Sequence, residues 1–210
     1  PSRMALAHLW QHNIAWKEDF PAVQALTRIE RQALLNQLEK DINTPLTSST
    51  GRLFDAASAL IGVCETVNYE AQAAIELEAI AELKDEGTYP FAVSEESPVI
   101  GLKPFWEALI ADFRNGYSQS IIATRFHNSL IQLVLEISIR IRQKHGINTV
   151  VLSGGVWANQ YLLTNSIKLL EANRFEVLTH QRVPCNDGGI SLGQLMIAAE
   201  QLKTLQSERN

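Results

Sequence analysis

The stretch Asn148-Thr149-Val150-Val151-Leu152-Ser153-Gly154-Gly155 decides the fold. Its β-branched run reads as a short buried strand. Ser153-Gly154-Gly155 turns off that strand, and the pattern beyond predicts a helix from about Trp157 to Ala172. Phe175-Glu176-Val177-Leu178-Thr179 repeats the strand. Pro184-Cys185-Asn186-Asp187-Gly188-Gly189 repeats the loop, and a final helix runs through Ala199. Strand–loop–helix twice over implies parallel strands joined by a right-handed crossover. Both loops then leave at one carboxyl edge, where open α/β sheets bind ligands.

Upstream the chain reads as helices. Met4–Trp16 carries an apolar stripe, and Pro21 starts a helix to about Ile42 with Leu26, Ile29, Leu34, Leu35 and Leu38 inward. The polar loop Thr47–Gly51 is placed to cap a helix from Arg52 to about Gly62. Tyr69–Leu83 is a further helix by propensity. Tyr89–Val93 and Pro98–Gly101 read as a short strand pair, then helices span Pro104–Arg114 and Ser118–His145. The expected organisation is a mainly helical part, 1–147, with the strand pair near 89–101. A strand–loop–helix repeat, 148–200, and a frayed polar tail, 201–210, follow.

Composition bounds the class. The 210 residues are 46% hydrophobic and 20% charged, an ordinary globular balance. Eighteen Lys and Arg against 23 Asp and Glu leave a net charge of −5, which disfavours a nucleic-acid partner. Two cysteines, Cys64 and Cys185, fit a reducing compartment rather than a disulfide scaffold. The apolar runs fall short of a membrane span and no signal peptide opens the chain, so a cytoplasmic location is expected. The start Pro1-Ser2-Arg3-Met4 lacks an initiator methionine, and a piece of a longer protein is expected.

The glycine turn carries the first candidate site. Backbone N–H groups at Gly154 and Gly155 can approach an anion closely, and nucleotide phosphates are the obvious ligand. A tight turn that merely needs small residues is the competing reading. The turn is neither a GxGxxG nor a Walker loop. Asp187, at the equivalent place after the second strand, suits a metal ligand or an N-cap equally well. Asn159 can hydrogen-bond a base or phosphate, or be an exposed amide. Asp55, in a helix's first turn, can bond ribose hydroxyls or satisfy the dipole, and Glu70 is similarly placed. His8 and His12 have a metal-ligand spacing, yet an amphipathic surface explains them as well. His127 reads as a core or pocket-rim histidine. Neither cysteine reads as a nucleophile, and no catalytic side chain is assigned.

These residues resemble a known family. Ser153-Gly154-Gly155-Val156-Trp157-Ala158-Asn159, and Arg182 through Gln194, closely resemble the end of the HypF carbamoyltransferases of hydrogenase maturation. Gly51-Arg52-Leu53-Phe54-Asp55-Ala56, Tyr69 through Ala74, and Arg125-Phe126-His127-Asn128 are further landmarks in the right order. The resemblance runs from about Arg3 to Ala199. It implies an α/β fold, the helix-rich second lobe of the RNase-H-like architecture shared by actin, hexokinase and chaperone ATPases. It implies a carbamoyltransferase that makes carbamoyl-adenylate from carbamoyl phosphate and ATP. The carbamoyl group then passes to the C-terminal cysteine of a HypE-like acceptor, on the way to cyanide ligands of [NiFe] hydrogenase.

Carried over by position, Gly154, Gly155 and Asn159 match nucleotide-phosphate residues and Asp55 the ribose aspartate. Asp187 matches an aspartate that completes a divalent-metal site (Mg, Zn or Fe) with two histidines of a first-lobe motif. That motif is not in this sequence, and His8 and His12 lie downstream of its place, so the metal site is expected to be incomplete. The family's acylphosphatase-like, zinc-finger and adenylate-forming domains are not in it either, and the piece alone is expected to be inactive. The alternatives are a relative with a tRNA or small-molecule acceptor, and a non-catalytic interaction module.

Overall fold

The computed structural model describes residues 1–82, 84–94 and 99–207, with side chains as far as Leu202. The chain divides into two units, residues 1–136 and 137–210.

The first unit is helical. Its helices are α1 (Ser2–Gln11), α2 (Pro21–Gln24), α3 (Arg28–Glu39), α4 (Thr50–Leu60), α5 (Gln72–Ala79), α6 (Lys103–Arg114) and the long α7 (Gln119–His145), which runs on into the second unit. Helix α4 is its centre. Every residue from Leu53 to Leu60 is buried, the signature of a helix covered on all sides. Ala56, Ala57, Ser58 and Ala59 keep that helix thin, so α1, α2 and α5 pack against it. Aromatic rings tie α4, α6 and α7 together. Phe54 meets Phe126 edge-on at 4.7 Å, Phe126 meets Phe105 at 5.8 Å, and Phe105 meets Trp106 at 5.1 Å.

Several element ends differ from the sequence expectation. Helix α1 stops at Gln11, because Asn13 enters the left-handed region (φ 57°) and the Trp16 indole folds back to donate to the Leu6 carbonyl at 2.9 Å. The single helix expected from Pro21 to Ile42 is broken at Thr27, which forms a capping box. Its hydroxyl accepts from Glu30 N–H, and the Glu30 carboxylate accepts from Thr27 N–H at 2.8 Å. Ile29, expected inward, is 83% exposed, since the new start turns it out while Leu34 stays buried. Ser49 precedes α4 without a side-chain cap. Helix α5 begins at Gln72, after Ala71 in the left-handed region (φ 63°), so Glu70 opens no helix. Leu83, the expected end of that helix, lies outside the described residues. Among the described residues the strand pair reduces to one antiparallel bridge, Ala92 with Gly101, and Pro98 lies outside the described residues.

In the second unit, β1 (Thr149–Leu152) and β2 (Glu176–Thr179) pair in parallel, with Leu152 opposite Thr179. Helix α8 (Gln160–Ala172) packs against β2 and buries Leu162, Ser166 and Leu170, one face at four-residue spacing. It ends without a glycine, since Arg174 itself takes the left-handed conformation (φ 64°). Arg142 lies over the Phe175 ring at 4.1 Å and donates to the Asn173 carbonyl at 2.9 Å, fixing that turn. The first strand was expected to be buried, yet Val151 is 63% exposed, and burial alternates along the strand to Leu152. Helix α9 (Ile190–Ser207) continues past Ala199 through most of the expected tail.

Phe126→Ala is expected to lower the unfolding free energy by about 3–5 kcal/mol, because it opens a cavity at the aromatic centre. Ile29→Ala is expected to change it by less than about 0.5 kcal/mol. Urea titrations followed by circular dichroism measure both.

Candidate functional site

The carboxyl ends of β1 and β2 deliver two loops to one place. Gly154, at φ 101° and ψ 162°, takes a conformation that side-chain-bearing residues avoid. Its N–H donates to the Cys185 carbonyl at 2.8 Å. That hydrogen bond joins the first loop to the second. A Cβ added at Gly155 would lie 3.9 Å from that of Asn186. The Gly154 N–H was expected to face a ligand and is instead spent on this tie.

The donors that remain are the next ones. Gly155–Ala158 forms one 3-10 turn, and the first N–H groups of such a turn have no partner within it. Among the described residues, neither Gly155 N–H nor Val156 N–H has a protein acceptor. In the second loop, the Asn186 side chain accepts from Gly188 N–H at 3.1 Å, and its carbonyl accepts from Gly189 N–H at 3.0 Å. Gly189 is obligatory there, since a Cβ would stand 2.8 Å from the Pro184 carbonyl oxygen. Asp187 N–H likewise has no acceptor among the described residues. The edge is therefore lined with unpaired backbone donors, the chemistry that suits an anion.

The other expected residues are placed as follows. The Asp187 side chain is exposed, and the N-cap role weighed for it belongs to Asn186. Asn159 was expected inside a helix beginning near Trp157. It is instead buried as the N-cap of α8, its side-chain oxygen accepting from Leu162 N–H at 2.8 Å. Asp55 lies in the first unit, in the middle of α4 rather than its first turn, and accepts from Arg52 at 2.8 Å. Val156, which sequence reasoning passed over, supplies one of the open donors. Sequence reasoning also passed over the pairing of Ser153 Oγ with His180 Nε2 at 2.8 Å, one residue past each paired strand.

The histidines and cysteines weighed above have structural surroundings. His127 is fully buried between Phe54 and Phe126, with Nδ1 at 2.7 Å from the Ala123 carbonyl, and burial lowers its pKa to about 4. His8 faces the Trp106 ring at 5.2 Å and His12 at 6.4 Å; burial first, and His12 second, lower its pKa to about 4. The buried Cys64 thiol donates to the Thr66 carbonyl at 3.2 Å, and burial raises its pKa to about 11, far from thiolate chemistry. Among the described residues, no three or more His, Cys, Asp or Glu side chains come together as a metal site.

Within the Arg125-Phe126-His127-Asn128 block, Arg125 and Asn128 clamp Asp85 and Gly87. Arg125 holds both Asp85 oxygens, at 3.0 and 3.1 Å, and donates to Asp112 at 2.7 Å. Asn128 donates to the Asp85 carbonyl at 2.9 Å, and the Tyr89 hydroxyl donates to Asp112 at 2.8 Å. The Arg125 guanidinium keeps the Asp85 carboxyl below its ordinary range.

Stability should therefore fall as pH drops. His127 and His8 have folded-state pKa values of about 4, below the unfolded value of 6.5. The unfolded chain binds their protons first, so their contribution is whole above pH 6.5 and is withdrawn between 6.5 and 4, at about 1.4 kcal/mol per pH unit for each. His127→Gln should remove one proton's share, about 1.4 kcal/mol per pH unit, from that slope in urea titrations repeated from pH 7 to 4.5. An unchanged slope would count against the burial of His127 as its cause.

Residues 1–194 match the family model of the second subdomain of the Kae1-like domain of carbamoyltransferases, HypF type. Carbamoyltransferase HypF of Synechocystis is 35% identical over 93% of this chain and 27% of its own length. Carbamoyltransferase HypF2 of Cupriavidus necator is 32% identical over 95% of this chain and 27% of its own. A crystal structure of full-length HypF in a phosphate- and nucleotide-bound form superposes with a TM-score of 0.88 at 40% identity, across 96% of this chain and 26% of that one. The chain thus spans about a quarter of the length of these relatives. Sequence and helix-rich α/β fold agree: the chain belongs to the HypF carbamoyltransferase family, as the second subdomain of its Kae1-like domain.

Proposed function

We infer that this chain is the phosphate-holding part of a carbamoyltransferase. The intact enzyme would form carbamoyl-adenylate from carbamoyl phosphate and ATP. It would then pass the carbamoyl group to the C-terminal cysteine of a HypE-like acceptor in hydrogenase maturation. The observation that carries the reading is the Gly154 N–H to Cys185 carbonyl bond, which brings the open N–H groups of Gly155, Val156 and Asp187 to one edge. Family membership supports the carbamoyl chemistry, and the related crystal structure is described as phosphate- and nucleotide-bound.

In the proposed reaction the acceptor thiolate attacks the carbamoyl carbon, the bond from that carbon to the phosphate oxygen breaks, and AMP leaves with the electron pair. This chain's part is to bind the phosphate and to donate hydrogen bonds to the oxygens on which charge grows. It needs no nucleophile of its own, in keeping with Cys64 being held as a thiol. Asp187 offers a single carboxylate, and a cation held there would need further ligands from the rest of the intact enzyme. An acceptor of the tRNA class is less well supported, given the net charge of −5 and relatives named HypF over most of the chain.

Gly155→Asp tests the reading. The new Cβ would meet nothing nearer than 3.9 Å, so the fold should stand while a carboxylate faces the phosphate. Calorimetric titration with ATP and Mg²⁺ should show the affinity of the chain falling by at least about tenfold, from repulsion between the new carboxylate and the phosphate. Unaltered ATP affinity in this variant would refute the phosphate role, and carbamoyl transfer by the chain alone should be undetectable.

A further inference from the structure

Ser153 and His180 have no part in the function proposed above. They are the residues that follow Leu152 and Thr179, the last pair in the ladder. Parallel register therefore sets both side chains at the same edge, and both are exposed there. Ser153 Oγ and His180 Nε2 are 2.8 Å apart, a hydrogen bond between groups 27 positions apart in sequence. Ser153 directly precedes the Gly154–Gly155 turn.

A hydroxyl has one proton to donate and two lone pairs to accept with. When the ring nitrogen carries the proton and donates, the hydroxyl proton is left over and directed away from the ring. The serine then becomes a fixed donor beside the open N–H groups of Gly155 and Val156. A histidine acting instead as a base on Ser153 would want a carboxylate on its other ring nitrogen. Among the described residues, His180 Nδ1 has no such partner.

The geometry points to Ser153 as a side-chain donor to a phosphate-class oxygen held on the Gly155–Val156 N–H groups. His180 is the positioning residue that orients its hydroxyl through Nε2–H. This inference rests on the phosphate reading of the edge and adds its one side-chain contact. It also accounts for a serine at that place, which a tight turn alone does not require.

Nitrogen-15 NMR of the histidine rings, on the whole chain at pH 8 with ADP, reads the tautomer directly. Nε2–H is expected on His180, and an Nδ1–H ring would overturn the inference, because the serine proton would then be spent on the ring. Calorimetric titration with ADP and with inorganic phosphate gives the second readout. Ser153→Ala and His180→Ala should each weaken binding by about tenfold, and the double variant no further, since the two act as one unit. His180→Gln, whose amide nitrogen can donate from a similar position, should recover affinity to within about twofold of wild type. Folded single variants that bind like wild type, or losses that simply add, would remove the pair and leave the phosphate edge standing. A wild-type chain that binds neither probe would sink the edge itself, and this inference with it.

Discussion

One backbone hydrogen bond, from Gly154 N–H to the Cys185 carbonyl, organises everything at the carboxyl edge of the sheet. Parallel pairing of β1 with β2 brings the two loops to the same side but does not by itself join them. The tie needs Gly154 in a conformation open only to glycine, and it needs the second loop closed tightly around Gly189. Its consequence is a division of labour along three consecutive residues. Ser153 presents a side chain, Gly154 holds the loops together, and Gly155 offers an unpaired donor. What such a carboxyl edge offers an anion is a set of oriented N–H groups.

The helical unit is held by a different logic. Its central helix is buried on all faces and contributes small residues, while large rings from α6 and α7 fill the space around Phe54. Two carboxylates, Asp85 and Asp112, share the single guanidinium of Arg125, and the Tyr89 hydroxyl closes the group. Removing Arg125 would leave both half-buried carboxylates uncompensated, the situation that makes such groups costly to alter. His127, next in sequence to Phe126, is neutral packing material in that setting rather than a proton carrier.

On the proposed reading, the chemistry divides between this chain and the rest of a longer enzyme. The chain gives the phosphate somewhere to sit, and the nucleophile comes from the acceptor. A scaffold of backbone donors is well suited to that task, because it stabilises charge growing on a leaving phosphate without titrating.

The linear sequence was enough to determine the parallel strand–loop–helix repeat, its two glycine loops and their common edge. These depend on short-range signals: β-branched runs, glycine pairs and the spacing between them. It was enough, too, for the family, because ordered blocks from Gly51 to Gln194 survive as strings of residue types. Only the tertiary structure decided which atoms do what. Gly154 looks like a ligand donor until Cys185 claims its N–H, and Asn159 looks like part of a helix until its side chain caps α8. Thr27 divides what periodicity reads as one helix, because a capping box competes locally with an apolar stripe. Hydrogen-bond partners far apart in sequence, such as Ser153 with His180 or Arg125 with Asp85, are set by register and packing, and no local pattern records them.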